Sequence, residues 1–226
     1  MPLLYTIGKL TVGTSLRVFW RPEVEGLEYV PESGGAILAS NHLSVADETF
    51  LGAVVPRHIA FWAKAEYFTG TGFRGWLTRT VLQGLGAIRV ERAGGRAALA
   101  AFDAAIPVLK AGDLVAIFPE GTRSADGRLY RGRTGVARLA MAAGVPVIPV
   151  GVTGTDKVQP IGARMPRLGA GKVTIRFGKP MDFTDRPTDR TSLRQITDEI
   201  MAEIQQLTGQ EYVPRYAPPR GTPNTR

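Results

Sequence analysis

The chain has no cysteine, so no disulfide framework and no cysteine-ligated zinc or iron–sulfur site can form. Its two histidines, His42 and His58, are the only imidazoles available to a metal or to proton transfer. The absence of cysteine fits a reducing, cytosol-facing location. Long apolar runs are also missing. Residues 1–20 (MPLLYTIGKLTVGTSLRVFW) come nearest, but Lys9 and Arg17 interrupt a stretch that would need about 20 apolar residues to span a bilayer. With no basic n-region and no small-residue cleavage site, the segment does not read as a signal peptide either. Nucleotide fingerprints fail as well. Gly171-Lys172 is preceded by Pro166 where a phosphate loop needs glycine, and Gly84-Leu85-Gly86 meets Arg89 where a dinucleotide fold needs its third glycine.

What is present is enough for one core: 226 residues, 44% of them hydrophobic, predict a single domain. The net charge of +8 asks for an anionic partner: nucleic acid, a phosphorylated substrate or an anionic membrane leaflet. The excess is uneven. Residues 1–60 hold more acids than bases, whereas from Arg123 to Arg176 ten basic side chains face only Asp126 and Asp156. No helix-turn-helix, aromatic RNP-like strand or zinc site accompanies the charge, so a nucleic-acid partner is not expected.

Short apolar runs at 35–39, 58–62, 87–90, 114–118 and 147–152 alternate with helical spacing at 46–55, 72–83, 96–110 and 133–143. This pattern predicts an α/β fold with a central, largely parallel or mixed sheet flanked by helices, over residues 23–208. Lys172–Phe177 alternates polar and apolar as a strand with one wet face does, which suggests a sheet edge. Residues 190–207 form a last amphipathic helix, and 209–226, with Pro214, Pro218, Pro219 and Pro223, an irregular tail. Residues 1–22 are an N-terminal apolar helical segment. Leu3, Ile7, Leu10 and Val18 share a face, and Phe19 with Trp20 suits headgroup depth. An interfacial anchor and an ordinary core-packing helix both fit.

In open α/β sheets ligands bind beyond the carboxyl ends of the strands. After residues 35–39 comes Ser40-Asn41-His42-Leu43-Ser44-Val45-Ala46-Asp47, with His42 and Asp47 five residues apart. On one helix that spacing turns the two about 140° apart, so they meet only if His42 lies in the turn before the helix and Asp47 in its first turns. Asp47 would then orient the imidazole, leaving the other ring nitrogen to take a proton from a hydroxyl. Ser44 with Asp47 reads equally as a capping box. After residues 114–118, Pro119-Glu120-Gly121-Thr122-Arg123-Ser124 offers flexible backbone, a hydroxyl and a guanidinium, which suits a phosphate. A turn facing water is the plainer alternative. Residues 87–90 lead into a second basic, glycine-containing exit at Glu91–Arg96.

NHLSVAD (41–47), GAIRVER (86–92), FPEGTRS (118–124) and VPVIPVGV (145–152), in this order and spacing, resemble the four motifs of the glycerolipid acyltransferase superfamily, especially the 1-acylglycerol-3-phosphate acyltransferases. The resemblance covers about residues 35–180. It implies His42 as general base and Asp47 as its orienting carboxylate. Glu120, Gly121, Thr122 and Arg123 would bind the acceptor's glycerol phosphate, and Arg92 would add a second phosphate contact. Lys64 resembles a lysine close to the reacting centre, able to stabilise an oxyanion. Val147, Ile148 and Pro149 match an apolar motif that shapes either the core or an acyl pocket. Arg89 departs from the pattern, in which an apolar residue or proline is expected.

The implied reaction is direct transfer in a ternary complex, from acyl-CoA or acyl carrier protein to lysophosphatidic acid, with no metal and no cofactor beyond the thioester co-substrate. The lack of a cysteine nucleophile and of a G-x-S-x-G elbow agrees with a route that forms no acyl-enzyme. The expected place is peripheral, on the cytoplasmic face of the cell membrane, against anionic lipid. Glycerol 3-phosphate or a glycolipid as acceptor, hydrolysis of a thioester or lysolipid, and a catalytically silent membrane binder are the alternatives.

Overall fold

The computed structural model describes residues 3–84, 86–90 and 94–218. Strands in chain order are β1 (Glu23–Glu25), β2 (Ala36–Ser40), β3 (Ile59–Ala60), β4 (Trp62–Lys64), β5 (Ile88–Val90), β6 (Leu114–Ile117), β7 (Leu129–Tyr130), β8 (Val147–Thr153), β9 (Thr174–Phe177) and β10 (Tyr212–Val213). Helices are α1 (Leu3–Gly8), α2 (Thr14–Phe19), α3 (Ala46–Val54), α4 (Glu66–Thr69), α5 (Gly72–Gly84), α6 (Gly94–Lys110), α7 (Gly135–Ala143), α8 (Thr155–Val158) and α9 (Arg190–Thr208). A π-helical turn, Lys9–Gly13, joins α1 to α2.

The main sheet has six strands in the order β1-β9-β8-β2-β6-β3. Neighbours run parallel except β8 and β9. Alternation along β2 divides the interior. Ile37 and Ala39 join a core with α7 and α9, whereas Ala36 and Leu38 join one with α3. Along β8 the same alternation sends Val147 to the first core and Ile148 to the second. Helix α9 is started by Asp189, whose side chain accepts from the N–H groups of Thr191 and Ser192, and it ends at Gly209 with φ 68°. Its close approach to β8 depends on Gly151, where a Cβ would lie 2.7 Å from that of Leu207.

The wet face of Lys172–Phe177 does not make it an edge strand. β1 covers it in parallel, a short strand whose Glu25 pairs with Arg176 at 2.9 Å. Nor is the chain after Gly209 wholly irregular, because β10 pairs in parallel with β7, and Val213 and Ala217 pack on Tyr130.

The N-terminal segment turns one face into the domain and leaves another exposed. Tyr5 and Leu16 are buried. The Tyr5 ring stands edge-on to His58 at 4.6 Å, and its hydroxyl accepts from Ile59 N at 3.3 Å. Lys9 Nζ and Arg17 Nη2 donate to the carbonyls of Val55 and Ala53, at the C-terminal end of α3 where unpaired carbonyls collect. The interruptions in the apolar run are therefore what fastens it to the domain. The other face leaves Leu3, Ile7, Leu10, Val18 and Phe19 exposed. α5 lies alongside, with Leu4 against Gly84, and exposes Phe73, Trp76, Leu77 and Val81. Among the described residues no helix is long and apolar enough to cross a membrane.

Candidate active site

β2 and β6 are adjacent and parallel, so the loops that leave them emerge on the same side of the sheet. One carries His42 and the other Phe118–Ser124. Three hydrogen-bonded ties lock the first loop in place. Asn41 donates from Nδ2 to Val152 O and accepts at Oδ1 from Val152 N, both at 2.8 Å, so its side chain pairs with β8 as a strand would. Ser44 Oγ donates to Gln159 O at 2.6 Å. His42 O accepts from Ser124 N at 2.7 Å, which joins the two loops directly.

One oxygen of Asp47 both caps the turn before α3 and binds the imidazole. Oδ2 accepts from Leu43 N at 2.8 Å, Ser44 N at 2.9 Å and His42 Nδ1 at 2.9 Å. The first two are orphan donors before α3; the third fixes the imidazole. Since a carboxylate oxygen can only accept, Nδ1 carries the hydrogen and Nε2 presents a lone pair. No hydrogen bond to Nε2 is formed among the described residues. The ring is stacked on Phe118 at 3.8 Å and 16°, so its plane is fixed as well. His42 keeps 9% of its surface open, while Asp47 keeps none.

In the second loop Gly121 has φ +75°, a turn that suits glycine. Arg123 is half-buried, and Thr122 Oγ1 is buried with no hydrogen-bond partner among the described residues. Glu120 corrects the expectation drawn from the motif. Instead of reaching a phosphate, which it would repel, its carboxylate is 1% exposed and turned inward. Oε1 accepts from His42 N at 3.0 Å and Oε2 from Tyr130 N at 2.9 Å. Burial pushes this carboxyl up to about 7, and the charges of Asp47 and Asp126 add to the rise; the two N–H donors oppose it. Asp126 closes the loop. Burial raises its carboxyl, but hydrogen bonds from Arg128, Tyr130 and Ser124 outweigh this and hold it at about 2. Arg128 is thereby occupied, at 2.7 Å from Asp126.

The other expected site residues belong to further strands or lie outside the described residues. Lys64 ends β4, in register with Val90 of β5 in a separate two-stranded sheet. Arg92 lies outside the described residues. Arg89 is exposed. Val147 and Ile148 are fully buried on opposite faces of β8, so their side chains build two cores and do not wall one acyl pocket; Pro149 is buried between β2 and Gly178. Asn41, Phe118, Tyr130 and Ser124 carry contacts that no separate reading of the sequence assigned. Asn41 and Phe118 stand inside the quoted motifs, yet nothing in spacing told that one pins β8 and the other stacks the imidazole.

Asn41→Ala will leave two buried backbone groups of Val152 unpaired. It will lower unfolding free energy by about 1–3 kcal/mol, read by urea denaturation at constant m.

Residues 21–153 match the Acyltransferase family. A chloroplastic 1-acyl-sn-glycerol-3-phosphate acyltransferase of Arabidopsis thaliana is 32% identical over 77% of this chain and 48% of its own length. The chain thus spans about half the length of this plant relative. A 1-acyl-sn-glycerol-3-phosphate acyltransferase of Bacillus subtilis is 27% identical over 82% of this chain and 87% of its own. The crystal structure of the 1-acyl-sn-glycerophosphate acyltransferase PlsC from Thermotoga maritima superposes with a TM-score of 0.68 at 29% identity, covering 91% of this chain and 79% of that one. With a His–Asp pair and an EGTR turn brought together at the ends of two neighbouring parallel strands, and more than half its length matched, this chain belongs to the acyltransferase family.

Proposed function

We propose that this protein transfers a fatty acyl group from a thioester donor to the free hydroxyl of lysophosphatidic acid, giving phosphatidic acid. The observation that carries the reading is His42, with Nδ1 held by buried Asp47 and Nε2 turned away from that anchor, in a loop hydrogen-bonded to the EGTR turn. Nε2 takes the proton of the acceptor hydroxyl as its oxygen attacks the thioester carbonyl. The C–S bond then breaks, and the imidazolium returns the proton to the departing thiolate. Asp47 stabilises the imidazolium between these steps. Gly121, Thr122 and Arg123 receive the acceptor's phosphate, Thr122 with a hydroxyl that lacks a partner among the described residues. To Arg92 we assign a further phosphate contact, and to Lys64 the stabilisation of the oxyanion. No metal or cofactor enters; acyl-CoA or acyl carrier protein supplies the thioester.

The exposed apolar residues of α1, α2 and α5, with the net positive charge, support a peripheral site on the cytoplasmic face of an anionic membrane, where both lipids reside. The test is transfer of radiolabelled palmitoyl or oleoyl to lysophosphatidic acid on vesicles, from acyl-CoA and from acyl carrier protein, with glycerol 3-phosphate and a glycolipid as rival acceptors. Labelled phosphatidic acid supports the reading. No product from either donor, or faster transfer to a rival acceptor, overturns it. Arg123→Ala should raise the acceptor KM about 10–100-fold, as loss of a charge-assisted contact does, and leave the donor KM unchanged.

A further inference from the structure

We infer that Arg133, set in place by Tyr216 of the C-terminal segment, is an additional ligand for the acceptor's phosphate. The inference rests on the reading of the EGTR turn given above and extends it to residues outside the matched motifs. Arg133 is attached to that turn twice. Its backbone N–H donates to Pro119 O at 2.8 Å, and its side chain lies on Gly121, where a Cβ would come within 3.0 Å of Nε and 3.2 Å of Cδ. The side chain is therefore a neighbour of Gly121, on the exposed side of the loop whose buried side Glu120 anchors.

Its charge is available. Arg128, Arg176, Arg186 and Arg194 each hold a carboxylate within 3.0 Å, whereas Arg131 and Arg133 have no carboxylate partner among the described residues. Both instead lie over one ring, with guanidinium carbons 5.7 Å and 5.1 Å from the centre of Tyr216. Two like charges drawn to one aromatic ring repel each other, and an anion bound beside them relieves that repulsion. A phosphate monoester on Arg123 would sit next to this pair.

The ring is held firmly enough to act as a positioner. β10 runs parallel to β7, and Arg131 N donates to Val213 O and Arg215 O, both at 3.1 Å. Val213 and Ala217 are buried against Tyr130, whose N–H is the second anchor of Glu120. The last described residues thus form a strap over the strand that braces the site, and Tyr216 is the part of it that faces the arginines.

Arg133→Ala, Tyr216→Leu and Tyr216→Phe should be compared with the native protein and with Arg123→Ala in steady-state acyl transfer to lysophosphatidic acid on vesicles. Glycerol 3-phosphate would serve as a soluble competing phosphate. Arg133→Ala should raise the acceptor KM and the inhibition constant of glycerol 3-phosphate about tenfold, with kcat and donor KM within about twofold of native. Tyr216→Leu should shift the acceptor KM the same way by a smaller factor, and Tyr216→Phe, which keeps the ring, should restore it. All three variants should melt near the native temperature. An unchanged acceptor KM in Arg133→Ala beside a raised one in Arg123→Ala would overturn this inference alone, as would a rise in donor KM instead. If Arg123→Ala also leaves the acceptor KM unchanged, the phosphate reading of the turn itself fails.

Discussion

His42→Ala will lower kcat by about 10²–10⁴-fold, the contribution of a positioned general base, with little change in either KM. The fold should survive. Asp47 keeps its bonds from Leu43 N and Ser44 N, and Glu120 and Ser124 hold the backbone of residue 42, not its ring. The paired measurement is kcat on vesicles and melting temperature in the same buffer. A native-like melt with lost turnover assigns the loss to chemistry, and an unchanged kcat would remove the base from the mechanism.

Asp47→Asn separates the two tasks of that carboxylate. The amide oxygen can still accept the three N–H groups, so α3 stays capped and the imidazole stays aimed. Its NH₂, however, falls where Oδ1 is buried and finds no partner among the described residues. The negative charge that favours imidazolium is gone as well. Turnover should fall by a factor approaching that of His42→Ala. If the asparagine variant were fully active, Asp47 would be a cap and nothing more.

How much of this was legible beforehand depends on distance along the chain. The strands and helices of the α/β core follow from local periodicity, and the observed β2, β6, β8, α3, α7 and α9 lie within a residue or two of their expected spans. The His42–Asp47 contact was legible because both partners sit in one turn. The role of Glu120 was not. Its partners are His42, 78 residues earlier, and Tyr130, which becomes a neighbour only when β7 folds beside the loop. Ion pairs are hidden in the sequence for the same reason: Lys172 and Arg176 meet Glu23 and Glu25 across the β1–β9 pair, so part of the basic stretch is neutralised by acids far away along the chain. Val147 and Ile148 show a different limit. Adjacent residues of a strand face opposite ways, so a motif read as one apolar block becomes two half-contributions to separate cores.

For Glu120, stability and activity should move in opposite directions with pH. Its carboxyl is raised from 4.5 to about 7 chiefly by burial, so between those pH values the folded protein holds a proton that the unfolded chain has released. Stability must therefore fall as pH rises through this window, by about 3 kcal/mol from this group when the shift is fully developed. Activity should do the reverse. The carboxylate accepts strongly from both His42 N and Tyr130 N; once protonated, the oxygen that carries the hydrogen is a weaker acceptor and the loop that presents the imidazole loosens. Glu120→Gln holds the group permanently neutral, with an NH₂ facing one of the two donors. It should flatten the pH dependence of unfolding free energy between about pH 5 and 7, relative to native, and lower kcat about 10–100-fold at pH 8 through a displaced His42. Denaturation curves at several pH values for both proteins, with kcat at pH 8, check both halves. The same pH slope in each would mean that Glu120 does not titrate in this range, and an undiminished kcat would mean that the site does not need its brace.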